Sequence, residues 1–83
     1  MSLEEIETEL VDFVCRDFMV QRGEFALDKS LIDQGVIDSF GLVEITTFMN
    51  RQFGISAAES EMNRDNFGSI LKMVAFIHRK QHG

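Results

Sequence analysis

The chain has a single cysteine, Cys15, among its 83 residues. One cysteine cannot form a disulfide within the chain, so we expect a reducing compartment or indifference to redox state. No apolar run approaches the roughly 20 residues that span a bilayer. The N-terminal segment Met1–Glu5 is acidic, whereas a secretory signal begins with basic residues. The sequence therefore predicts a cytoplasmic protein without a membrane span.

Positive charge is also scarce, and the formal net charge is −6. Residues 1–38 contain ten acidic and three basic residues, whereas residues 39–83 contain four acidic and five basic ones. An acidic chain repels phosphate backbones and anionic lipid, and no basic stripe offsets that repulsion. We therefore expect no binding to nucleic acid.

The sequence has no proline, no strand-like alternation and no repeat of fixed length. Its length allows one modest hydrophobic core, so we expect a single domain over residues 1–83 and a monomer. Apolar residues recur instead with a helical period of about 3.6. The sequence predicts an all-α protein, a small four-helix bundle with a long first loop and a short third helix.

Capping signals and apolar periodicity set the expected bounds of the helices. Ser2 with Glu5, and Ser56 with Glu59, have the spacing of a capping box. Residues 21–38 lack a sustained period but contain several apolar side chains, so this loop should be held down by its own packing. The predicted helices run over about Leu3–Val20, Ser39–Phe53, Ser56–Met62 and Ser69–Lys80.

The second predicted helix has two different apolar faces. The inward face has a spacing of i, i+3, i+7 and i+11 and contains Leu42, Ile45, Met49 and Phe53. The neighbouring face lies beside the helix start and contains Phe40, Val43, Glu44 and Thr47. The first face is expected in the core, and the second is a candidate surface for a partner protein.

Groups for catalysis or metal binding are few. His78 and His82 lie near the C-terminus, and Cys15 has no histidine near it in sequence. Placing Gly35 at the sixth position of a calcium-binding loop puts Ile32 where an oxygen ligand should be. We therefore predict no catalytic residue and no metal site.

The pair Asp38-Ser39 precedes the second predicted helix, and two interpretations of it are open. Either side chain can cap the helix by accepting a hydrogen bond from a first-turn amide. Alternatively, a serine at this position is exposed on rigid backbone, where a phosphate diester would feel the positive end of the helix dipole. The pair alone does not separate these interpretations.

The flanking residues resemble the acyl carrier protein family, whose signature is Asp-Ser-Leu at the start of the second helix. The resemblance covers roughly residues 3–78 and rests on Asp28, Leu31, Asp33–Phe40, Val43–Ile45 and Phe53–Ile55. It implies that Ser39, supported by Asp38, takes 4′-phosphopantetheine from coenzyme A and carries cargo as a thioester. The implied partners are a phosphopantetheinyl transferase, an acyl- or aminoacyl-adenylating ligase, and a downstream acyltransferase or synthase.

The sequence departs from the family pattern at two points, and these indicate which kind of carrier it resembles. Phe40 replaces the usual leucine, and Glu44 is the only acid in the second predicted helix, where fatty-acid carriers have several. Together with the polar segment 61–66 and Phe67, this looks closer to D-alanyl and other stand-alone aminoacyl carrier proteins.

Two other functions are compatible with the same residues. The chain could be an unmodified helical module that binds a partner through Phe40, Val43 and Thr47. It could also be a small hydrolase that uses Ser39, although the sequence offers no evident base.

Overall fold

The computed structural model describes residues 1–82, which contain helices but no strand. The elements are α1 (Leu3–Asp17), α2 (Ser39–Phe53), a 3₁₀ helix (Glu59–Glu61), α3 (Arg64–Phe67) and α4 (Ile70–His82). The prediction of a small all-α bundle with a long first loop and a short third helix is confirmed. No helix in residues 1–82 is long and apolar enough to cross a membrane.

Helix α1 begins as predicted but ends earlier. The Ser2 amide donates to Glu5 Oε1 at 3.0 Å, and the Glu5 amide donates to Ser2 Oγ at 3.2 Å. The helix ends at Asp17 rather than near Val20, because Met19 adopts a left-handed φ of 56°. The Val20 amide then donates back to the Cys15 carbonyl at 3.2 Å, which closes the C-terminus as a Schellman motif does. Helices usually end at glycine or asparagine in this conformation, so the sequence does not predict an end of α1 before Met19.

The region predicted as one short third helix is divided into two. The expected cap at Ser56 is wrong, because Ser56 Oγ accepts from Asn50 Nδ2 at 3.3 Å instead. The 3₁₀ helix begins after Ala58, whose amide donates to Glu61 Oε1 at 2.9 Å. Asn63 caps α3 by accepting from the Asn66 amide at 3.0 Å. Two successive caps therefore produce two single turns.

Glu61 connects this region to α4. Its carboxylate accepts from the Ala58 amide and, at 3.1 Å, from Lys80 Nζ. These bonds, the backbone one most, hold the pKa of Glu61 below its usual value. Helix α4 is capped by Ser69, whose Oγ accepts from the Lys72 amide at 3.2 Å, and it extends two residues beyond the predicted end at Lys80.

One hydrophobic core joins the helices and the long loop. Helix α4 packs mainly against α1, and α2 contributes Ile45, Met49 and Phe53 as predicted. Leu42 is only half-buried, at the edge of the core. The loop supplies buried Phe25, Leu31 and Ile37, so the expectation that its apolar residues hold it down is confirmed.

A stacked aromatic pair joins α1 to α2. The rings of Phe13 and Phe48 lie 4.1 Å apart between centroids, with 15° between their planes. One turn further along α2, Gln52 Nε2 donates to Glu9 Oε2 at 3.1 Å. These contacts hold the second half of α2 against α1.

Candidate functional site

The structure distinguishes the roles of Asp38 and Ser39. Asp38 is the N-cap of α2, and its Oδ1 accepts from the Gly41 amide at 3.0 Å. Ser39 is the first residue of the helix and is exposed. Within residues 1–82 its hydroxyl makes no hydrogen bond. Because Asp38 provides the cap, the serine hydroxyl is available for other chemistry.

Close packing positions this first turn, and the sequence analysis did not identify it. A Cβ at Gly41 would lie 2.8 Å from Ile37 Cβ and 3.1 Å from Phe18 Cε1. Ile37 is itself buried, so it cannot simply move aside. The absence of a side chain at Gly41 therefore lets α2 start directly on the loop and on the end of α1.

The electrostatics of the first turn suit an attached phosphate. The Gly41 amide donates to Asp38 Oδ1, and the Leu42 amide donates to the Asp38 carbonyl at 3.3 Å. The amides of Ser39 and Phe40 have no partner within the described residues. Together with the dipole of a 15-residue helix, these donors favour a negative group on the Ser39 oxygen. The residues present thus fit a phosphodiester-linked group.

An exposed face of α2 lies beside Ser39. Phe40 is 80% exposed and Val43 is 57% exposed, an unusual degree for large apolar side chains. Glu44 and Thr47 are exposed on the same side of the helix, and Thr47 Oγ1 donates to the Val43 carbonyl at 3.0 Å. The structure therefore places all four residues of the predicted partner face on the surface.

A small cavity of about 220 Å³ lies between the long loop, α2 and α3. Ile32, Leu42, Met62 and Phe67 provide much of its apolar wall. Leu42 follows Ser39 by three residues, so the cavity lies about one helical turn from the serine.

The remaining candidate groups lie elsewhere in the fold. The rings of His78 and His82 are 4.4 Å apart between centroids in the last turns of α4. Cys15 is half-buried on α1. In residues 1–82 no three of the histidine, cysteine and acidic side chains are arranged to hold a metal ion. None of these groups is hydrogen-bonded to Ser39 within that range.

A sequence profile described as "Phosphopantetheine attachment site" matches residues 8–77. The chain belongs to the acyl carrier protein family. The carrier is also similar to the D-alanyl carrier proteins of Streptococcus pyogenes serotype M5 (strain Manfredo), serotype M49 (strain NZ131) and serotype M1. Each is 38% identical to it over 82 residues, which cover 99% of both chains.

Membership in this family establishes the general function. The protein is an acyl or aminoacyl carrier that bears 4′-phosphopantetheine. When bound, this group supplies a terminal thiol that holds cargo as a thioester. The matched span includes the start of α2, so the site described above lies inside the part of the chain that defines the family.

Proposed function

We propose that Ser39 is the attachment point and that Asp38 supports it by capping α2. The observation that carries this proposal is the exposed, unbonded Ser39 hydroxyl at the N-terminus of a helix inside the matched span. Ser39 Oγ forms the new bond to phosphorus as the phosphoanhydride bond of coenzyme A breaks and adenosine 3′,5′-bisphosphate leaves. The hydroxyl proton leaves to a base of the transferase, since Ser39 has no bonded base of its own in residues 1–82.

Phe40, Val43, Glu44 and Thr47 form the docking face for the partner enzymes in this proposal. Those partners are a phosphopantetheinyl transferase, an adenylating ligase, and a downstream acyltransferase or synthase. The support is the exposure of Phe40 and Val43 next to Ser39. Because Glu44 is the only acid in α2, docking should depend more on apolar contact than on charge and should resist salt.

The cargo we propose is an aminoacyl group, with D-alanyl first among the candidates. The similarity to D-alanyl carrier proteins and the nearly neutral α2 support this choice. Intact mass of the phosphopantetheinylated chain after incubation with ATP, D-alanine and a D-alanine-adenylating ligase tests it, with a fatty-acid ligase as comparison.

We further propose that residues 1–83 act as one monomeric domain in the cytoplasm and have no enzymatic activity. A single contiguous core supports the one-domain organisation. The net charge of −6 supports a monomer, because net charge opposes self-association. The lack of a bonded base at Ser39 within residues 1–82 supports a carrier rather than a hydrolase.

The test of the attachment point is intact-mass spectrometry after incubation with coenzyme A and a broad-specificity phosphopantetheinyl transferase. The wild-type chain should gain the mass of one arm, and Ser39→Ala should abolish the gain. The matched control is Ser60→Ala, which removes another exposed serine and should leave the gain intact. A wild-type chain that gains no mass, or a Ser39→Ala chain that still does, contradicts the proposal.

A further inference from the structure

The side chain of Gln34 bonds to three backbone groups of the long loop. Its Oε1 accepts from the Ala26 amide at 2.7 Å. Its Nε2 donates to the Ala26 carbonyl at 3.0 Å and to the Lys29 carbonyl at 3.1 Å. The amide thus uses its acceptor and both of its donors on the segment that precedes it.

Gln34 itself belongs to the tight turn that leads into α2. The Gln34 amide donates to the Ser30 carbonyl at 3.0 Å, and the Val36 amide donates to the Leu31 carbonyl at 3.0 Å. Gly35 has the left-handed φ of 77° that the turn requires. Ile37, Asp38 and Ser39 follow directly, so the turn and the start of α2 are continuous.

Resting on the attachment at Ser39 proposed above, we propose that Gln34 is a positioning residue for modification of that serine. It fastens residues 26–29 to the turn at 30–37, and that turn sets the approach of the chain to the cap of α2. With the fastening intact, the surface around Ser39 is ordered before an enzyme arrives. Without the Gln34 bonds, the loop must become ordered when the enzyme binds. The free-energy cost of that ordering lowers the affinity of the enzyme for the carrier.

A glutamine is specifically suited to these three bonds. A leucine of similar size offers no partner to any of the three backbone groups. A glutamate offers only acceptors, which would face the Ala26 and Lys29 carbonyls without a donor. Both Gln34→Leu and Gln34→Glu should therefore free residues 26–29 from the turn, while buried Phe25, Leu31 and Ile37 keep the rest of the loop on the core.

Steady-state kinetics of phosphopantetheine transfer test the proposal. For Gln34→Leu and Gln34→Glu, the KM of the transferase for the carrier should rise about tenfold. A change of this size corresponds to the net free energy that one or two hydrogen bonds contribute to the ordered loop. The kcat at saturating carrier should stay unchanged, because Ser39 and the chemistry are the same. Amide exchange at Ala26 and Val36 should accelerate, whereas exchange at core residue Met73 should not.

Asn50→Leu is the matched control, since Asn50 Nδ2 donates to the Ile55 carbonyl at 3.0 Å at the far end of α2. It should leave KM near the wild-type value. An equal rise in KM for Asn50→Leu, or no rise for either Gln34 variant, overturns the proposal, as does loss of folding in both Gln34 variants. If the wild-type chain is not modified at all, the proposed attachment at Ser39 fails. If the wild-type chain is modified and both Gln34 variants keep its KM, only the role of Gln34 is contradicted.

Discussion

The two faces of α2 contain similar side chains in very different surroundings. Ile45 and Met49 on the inner face are 0% and 1% exposed, whereas Phe40 and Val43 on the outer face are 80% and 57% exposed. The inner residues pack into the core with α1 and α4. Apolar character alone therefore does not separate a stabilising position from a functional one. Burial does.

Folding gives no reason for the outer face to be apolar. A small carrier that exposes large apolar side chains risks unwanted association, and such patches usually mark a site of protein contact. The patch directly follows Ser39 along α2. The comparison thus predicts that inner substitutions change stability and outer ones change recognition.

The largest expected effect is on the inner face. Ile45→Ala should lower the free energy of unfolding by about 2–5 kcal/mol, because it leaves a cavity in a fully buried position. Urea denaturation followed by circular dichroism measures this change. Val43→Ala removes less volume from an exposed position and serves as the control. If both variants lose similar stability, the contrast between the two faces is wrong.

An intermediate effect is expected at Gly41, where the inner face meets the loop. Gly41→Ala should lower the free energy of unfolding by about 1–3 kcal/mol, because the new Cβ would clash with Ile37 and Phe18. Thermal and urea denaturation measure it, with exposed Thr47→Ala as control. Helix propensity alone would instead stabilise Gly41→Ala by about 1 kcal/mol. A stabilised variant would therefore show that the first turn is not tightly packed.

The smallest effect on stability is expected at Phe40. Phe40→Ala should change the free energy of unfolding by no more than about 0.5 kcal/mol, since the ring is exposed. It should still lower kcat/KM for phosphopantetheine transfer about tenfold, the size typical of losing an aromatic contact residue. Leu71→Ala, exposed on α4, is the control and should leave transfer unchanged. Unchanged transfer for Phe40→Ala would remove this residue from the docking face.

Where local signals governed an element, sequence reasoning succeeded. The Ser2–Glu5 box opens α1, Ser69 caps α4, and Gly54 ends α2 with a left-handed φ of 68°. Sequence reasoning failed where no local signal marked the end of a helix, and where a capping signal was present but was not used. Met19 ends α1 by adopting a conformation that its side chain does not announce, and Ser56 bonds to Asn50 instead of capping a helix.

The sequence by itself determined the helical period, the two faces of α2 and the position of Asp38-Ser39 at its start, because these depend on residues within a few positions of one another. Only the tertiary structure decided that Asp38 provides the cap, that Gly41 allows close approach, and that Gln34 holds the loop. Asp38 caps a residue only three positions away, but the pair Asp38-Ser39 offered two candidate caps. The approach of Gly41 to Phe18 and the bonds of Gln34 to Ala26 and Lys29 form only when the chain folds back on itself. No local pattern encodes such contacts.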